Sequence, residues 1–102
     1  MKAFASLDVV AVLADGKRVK IEASIRPPHE DAGRWAASVL IKPLQAKPME
    51  VRGVDSFHAV WLACSLVLKL LAQLKQEGAR LENPDGSDFP LEAYLAGLEG
   101  TR

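Results

Sequence analysis

The sequence predicts an α+β fold: an antiparallel meander of four to five strands, covered on one face by a long helix and followed by a short C-terminal helix. Residues 3–26 alternate apolar and polar side chains with the period of a β-strand, broken by one Asp-Gly pair. Residues 55–77 hold apolar side chains at helical spacing and contain neither proline nor glycine. Because 102 residues bury a single core, we expect residues 1–102 to form one domain.

Two strands open the chain. The first covers residues 3–13, and Asp15-Gly16 after it predicts a tight hairpin, because these residues tolerate positive φ. The second covers residues 17–26 and has one dry and one solvated face. The residues predicted to face the core are Ala5, Leu7, Val9, Ala11 and Leu13 on the first strand, and Val19, Ile21, Ala23 and Ile25 on the second.

A loop is predicted over residues 27–33, because Pro27 and Pro28 cannot donate to a central ladder. The third strand covers residues 34–42, with Trp35 on its core face, and Pro43 ends it. A short fourth strand covers residues 49–53. These strands complete the meander before the long helix begins.

The long helix is predicted to start at Asp55 or Ser56 as N-cap and to end at Gly78 as C′ residue. Its polar side chains share an arc of about 80°, and the rest of the circumference is apolar. One stripe is predicted to face the core: Phe57, Trp61, Cys64, Leu68 and Leu71. A surface helix needs an apolar stripe only a little over about 100° wide. The remaining apolar edge, Leu62, Leu66 and Leu70, is therefore the predicted interface.

The C-terminal part is predicted to hold a short fifth strand over residues 79–82, a turn at residues 83–86, and a helix over residues 90–98. The excess apolar edge of the long helix needs a cover. Both this C-terminal helix and a second subunit are candidates, and the sequence leaves that choice open.

Composition argues against two kinds of partner. The 13 Lys and Arg balance the 13 Asp and Glu, whereas nucleic-acid-binding proteins normally carry a basic excess. The longest uncharged run, Ala59 to Leu68, is about half the ~20 residues of a membrane span. The one cysteine excludes an intramolecular disulfide and suits a reducing compartment, so we expect a cytoplasmic protein without membrane contact.

Four residues are candidate metal ligands: His29, Glu30, Asp31 and His58. No H-x₃-H or C-x₂-C spacing is present, and a solvated polar loop explains the first three. We therefore predict no metal site and no cofactor.

Asp55 could orient His58 as an acid or base near Ser56, but a helix cap explains Asp55 without chemistry. Buried in apolar surroundings, Cys64 would be a poor nucleophile. The sequence contains no phosphate-binding loop, nucleophile elbow or zinc signature. We predict no catalytic residue and a protein that is not an enzyme.

The solvated sheet face carries a candidate nucleic-acid surface, Arg18, Lys20, Arg26 and Arg52. Exposed aromatic residues that would stack bases are missing from this face, and Glu22 and Glu50 lie among the basic residues. An ordinary solvated face is the favoured interpretation.

Several motifs together resemble a family of small uncharacterised bacterial proteins. They are Arg34-Trp35 in a strand, Gly53-Val54-Asp55-Ser56-Phe57-His58-Ala59 at the start of a Leu-rich helix, Leu81, and Phe89-Pro90 after a polar loop. The resemblance covers about residues 18–91 and implies the α+β fold and a bacterial origin. Since that family has no known function, it implies no activity. His58 stands where the family pattern has Gln.

The leading functional hypothesis is a non-enzymatic interaction module that forms a homodimer or binds another protein, for example as an immunity protein or antitoxin does. The first alternative is a small-ligand or metal-binding module that uses His29, Glu30, Asp31 and His58. The second is a nucleic-acid binder that uses the polar sheet face.

Overall fold

The computed structural model describes residues 3–96; residues 1–2 and 97–102 lie outside the described part. It confirms the predicted α+β class. The elements in chain order are β1 (Ala5–Val12), β2 (Arg18–Ile25), β3 (His29–Asp31), β4 (Arg34–Lys42), β5 (Met49–Gly53), α1 (Ser56–Gln76), β6 (Arg80–Glu82) and α2 (Leu91–Ala96).

The strands form one antiparallel sheet, and the predicted meander is present. β1 pairs with β2, β2 with β4, and β4 with β5. β6 then joins the free edge of β1. α1 thus connects β5 at one edge of the sheet to β6 at the opposite edge, and it crosses one face of the sheet on the way.

The predicted loop over residues 27–33 is wrong in part, because His29–Asp31 forms β3 and pairs with β4. Ala32 and Gly33 both have positive φ, 53° and 80°, as a two-residue hairpin turn requires. Three residues, Arg26 to Pro28, lie opposite two residues of β4, which makes a β-bulge. Pro27 and Pro28 indicate that strand pairing is interrupted here. They do not indicate that pairing with β4 resumes at His29.

The bulge also reverses which side chains face solvent. Without it, His29 would continue the core face of Ile21, Ala23 and Ile25, because side chains alternate with period two. With the extra residue, His29 and Asp31 take the solvated face and Glu30 takes the face of Trp35. This one-residue shift determines which of the polar side chains of residues 29–31 lie on the same face of the sheet.

The core lies between α1 and the inner face of the sheet. Most of the predicted strand residues are buried there, whereas Leu7, Leu13 and Val19 are only partly covered and Ala5 is exposed. α1 contributes Ala59, Ala63, Val67 and Leu71, which recur every four residues on one face. The strand residues buried in this core cluster are Val9, Ala11, Ile21, Ala23, Ile25, Ala37, Val39, Ile41 and Leu81.

Both predicted caps of α1 are present. The Asp55 carboxylate accepts a hydrogen bond from the backbone N–H of His58 at 2.7 Å. Gly78 has a φ of 102° at the other end. There Ala79 N–H donates to the Leu74 carbonyl (3.0 Å) and Gly78 N–H to the Lys75 carbonyl (3.1 Å), the paired bonds of a Schellman motif.

The C-terminal elements follow the prediction as far as the structure describes them. Gly86 N–H donates to the Asn83 carbonyl at 2.9 Å in the predicted turn. Phe89 and Leu91 are buried and anchor the start of α2. Residues 97–98 of the predicted helix lie outside the described residues.

One helix within residues 3–96, Ser56–Gln76, has the length and apolar composition that would suffice to cross a membrane. Of its apolar 18-residue window, 28% is buried inside the described fold. Ala59 and Ala63 are fully buried against the sheet.

Candidate interaction surface on helix α1

Helix α1 leaves two large aromatic side chains in solvent. Phe57 is 79% exposed and Trp61, one turn later, is 44% exposed. The predicted core stripe is therefore wrong at these two residues. Cys64 and Leu68, farther along the same stripe, are partly buried and pack against the core. We call Phe57, Trp61, Cys64 and Leu68 the α1 stripe.

Small residues explain the orientation of α1. Ala59 and Ala63 let the helix approach the sheet closely, so they face it and the larger side chains are turned aside. Gly53 closes the contact at the helix start, because a Cβ on Gly53 would lie 2.6 Å from the backbone nitrogen of Ala59. The sequence contains an indication of this orientation, because Ala59 and Ala63 are small and lie four residues apart. Phe57 and Trp61 were nevertheless predicted to face the core, because large aromatic side chains are usually buried.

The predicted interface edge has a different environment. Leu66 and Leu70 are partly buried and pack against the core, and Leu62 beside them is also partly buried. Ser65, predicted on the polar arc, is buried and donates a hydrogen bond to the Leu62 carbonyl at 3.0 Å. Each of these three leucines is partly buried, whereas Phe57 and Trp61 are exposed.

An apolar cleft adjoins the α1 stripe. Its volume is about 210 Å³, and it is partly open to solvent. Ala5, Leu7 and Ile25 of the sheet form one wall, and Cys64 and Leu68 of α1 form the opposite wall. Tyr94 of α2 lines it as well. The stripe and the cleft share Cys64 and Leu68, so they form one continuous apolar surface.

Helix α2 is held beside the C-terminal half of α1. Lys75 Nζ and Glu92 Oε2 are 2.6 Å apart, and this ion pair raises the pKa of Lys75 and lowers that of Glu92. The Tyr94 ring stacks on buried Phe89, with ring centroids 5.0 Å apart. α2 therefore covers part of α1 but leaves Phe57 and Trp61 exposed.

Cys64 keeps its predicted environment. It is partly buried among apolar side chains, and this burial raises the pKa of its thiol. A raised pKa lowers the thiolate fraction at neutral pH, so the group is a weak nucleophile.

The start of α1 lacks the geometry of an acid–base pair. Asp55 accepts from the backbone of His58 and not from its ring. The ring Nδ1 of His58 accepts a hydrogen bond from the backbone N–H of Val54 at 3.1 Å. Both side chains thus complete the N-terminal capping of the helix.

The four candidate metal ligands do not converge. His29 and Asp31 lie on the solvated sheet face, Glu30 lies on the opposite face, and His58 lies at the start of α1. On the solvated face the guanidinium of Arg52 contacts Asp31 and Glu50, each at 2.8 Å, and these carboxylates raise the pKa of Arg52. Within residues 3–96, no three His, Cys, Asp or Glu side chains form a group that could hold a metal ion.

The candidate nucleic-acid face carries acidic partners. Arg18 pairs with Glu82 at 3.1 Å, Lys20 with Glu22 at 3.4 Å, and Arg52 with Asp31 and Glu50. Among the described residues, Arg26 alone of the four candidates has no ion-pair partner. These pairs reduce the positive potential that phosphate binding would need.

Comparison with known protein families, with curated proteins and with solved structures finds no match to this chain. The resemblance to the small bacterial family described above therefore stays a prediction.

Proposed function

We propose that this protein is a non-enzymatic interaction module that forms a homodimer through the α1 stripe. The observation that carries the proposal is the exposure of Phe57 and Trp61 on successive turns of a core helix. Aromatic residues of this kind dominate the energetics of interfaces. The proposal moves the contact from the edge of Leu62, Leu66 and Leu70 to the neighbouring stripe.

The exposed area is consistent with an interface core. A Phe or Trp side chain buries roughly 150–250 Å², and a standard interface takes roughly 800 Å² from each partner. Phe57, Trp61 and the neighbouring Val54, which is also exposed, would supply on the order of 300–400 Å² of it. A few central anchors surrounded by polar contacts are the usual composition of such a surface.

Charge also favours a second copy as the partner. The formal net charge is zero, so two copies do not repel each other as whole molecules. Between Ser56 and Leu74, Lys69 is the one Asp, Glu, Lys or Arg in the helix sequence. Two α1 helices can therefore approach without bringing like charges together.

Light scattering coupled to size-exclusion chromatography tests the proposal. We expect wild-type protein at micromolar concentration to have about twice the 11.0 kDa mass of one chain. Phe57→Ser should weaken association by about tenfold or more, because it removes a central anchor. Leu44→Ser is the matched control, since Leu44 is exposed in the β4–β5 connection. Leu62→Ser tests the other edge.

A wild-type monomer at every concentration would overturn self-association. A dimer that survives Phe57→Ser but dissociates in Leu62→Ser would return the interface to the Leu62 edge.

A further inference from the structure

The 210 Å³ cleft is large enough for an aromatic ring system. An apolar protein cavity of roughly 150 Å³ accommodates benzene, so this cleft has room for a two-ring indole. Tyr94 is among the residues that line it, and the lining is mostly apolar. A buried indole needs an acceptor for its N–H, and a tyrosine hydroxyl oxygen is a group that can accept one.

The spacing of the α1 stripe matches a helix–helix seam. Phe57, Trp61, Cys64 and Leu68 follow each other at intervals of four, three and four residues, as the a and d positions of a coiled coil do. A two-fold axis between antiparallel α1 helices, passing between Trp61 and Cys64, sets Trp61 of each copy opposite Cys64 of the other.

We propose that in the homodimer each copy inserts its Trp61 indole into the cleft of the other copy, between Cys64, Leu68 and Tyr94. This inference rests on the proposed self-association and specifies its contact. Each cleft is incomplete without the partner's Trp61, and the exchange occurs twice because the interface is isologous. Phe57 then packs near the partner's Leu68 and extends the seam.

Complementation between two variants tests the insertion. Trp61→Ala removes the inserted ring and keeps the cleft, whereas Cys64→Phe fills the cleft and keeps Trp61. Each variant alone should associate at least about tenfold more weakly than wild type. An equimolar mixture should associate more tightly than either variant, because the mixed dimer restores one of the two insertions. Sedimentation velocity of the three samples measures this.

A second variant, Ala5→Phe, tests the same contact in case Cys64→Phe does not fold. Ala5→Phe narrows the cleft from the exposed start of β1, without a change in α1, and should replace Cys64→Phe in the mixture with the same result. Thermal unfolding of each variant checks that it is folded. In a Trp35→Phe background, emission from Trp61 should shift to shorter wavelength as the dimer forms.

The outcomes separate the insertion from the dimer itself. A wild-type dimer that Cys64→Phe and Ala5→Phe leave intact would overturn the insertion and keep the proposed function. A mixture no tighter than its components would also overturn the insertion. A monomeric wild type would overturn both.

Discussion

The position of α1 depends on a single residue, Gly53, whose φ is not positive. A Cβ at Gly53 would lie 2.6 Å from the Ala59 nitrogen and 2.9 Å from the His58 Cβ. The first of these contacts is with backbone, which cannot move without shifting the helix. Gly53 is therefore required by close approach and not by backbone conformation.

We predict that Gly53→Ala lowers the free energy of unfolding by about 1–3 kcal/mol, the usual effect of an overpacked contact. Urea unfolding followed by circular dichroism measures it. Val54→Ala is the control at the adjacent exposed position and should be nearly neutral at protein concentrations low enough for the monomer. A Gly53→Ala variant as stable as wild type would contradict the close contact.

The side chain of Asp55 caps the N-terminus of α1. Asp55→Ala should cost about 0.5–2 kcal/mol of unfolding free energy, because the N–H of His58 loses its acceptor. Asp55→Ser should retain most of the stability, since a serine hydroxyl also caps. Equal stability losses in the two variants would show that Asp55 does more than cap the helix.

At the element scale, chemically identical side chains have opposite roles. Phe89 is 2% exposed and anchors the segment before α2, whereas Phe57 is 79% exposed on α1. We predict that Phe89→Ala costs about 3–5 kcal/mol of unfolding free energy. Phe57→Ala should leave the stability of the monomer within about 0.5 kcal/mol. Urea unfolding at low protein concentration compares the two variants. A large loss of unfolding free energy in Phe57→Ala would mean that Phe57 packs within its own chain.

Glu82 of β6 makes contacts with Arg80 and Arg18 whose strength depends on pH. Glu82 has few solvent contacts and receives a hydrogen bond from Arg80 at 3.0 Å and an ion pair from Arg18, and both lower its pKa. Because the folded pKa lies below its ordinary value of about 4.3, the interaction stabilises the fold above that pH. Its contribution is lost as the pH falls through the folded pKa.

We therefore predict that the difference in urea midpoint between wild type and Glu82→Gln is largest at neutral pH and disappears in acid, where Glu82 is protonated. Glu22→Gln is the control, because its pair with Lys20 is exposed and contributes little. A difference that stays constant from neutral to acid pH would show that the ionised Glu82 carboxylate does not stabilise the fold.

The sequence was sufficient for the elements whose signals are local. Alternation identified β1, β2, β4 and β5, and cap residues located both ends of α1. It failed where the outcome depended on packing between elements. The rotation of α1 follows from Ala59, Ala63 and Gly53 meeting the sheet. A count of apolar residues around the helix does not reveal that contact.

The position of β3 could also not be predicted from local sequence signals alone. Pro27 and Pro28 predicted a break, and the bulge at these residues is that break. The return of His29–Asp31 to the edge of β4 depends on a hairpin turn with Ala32 at positive φ. Alanine is uncommon in that conformation, so composition gave no signal for it.

At the scale of the whole molecule, the two faces of the sheet differ in what they offer a partner. The solvated face presents charges, most of them paired with neighbours. On the face that α1 covers, the surface presented to solvent includes the apolar α1 stripe and the adjoining cleft. This surface is where association would bury apolar area at the lowest electrostatic cost.

Sedimentation equilibrium of the wild-type protein over a range of micromolar concentrations determines whether the chain self-associates. We predict a reversible monomer–dimer equilibrium, with a limiting mass about twice the 11.0 kDa of one chain. A single species of 11.0 kDa at every concentration would contradict it.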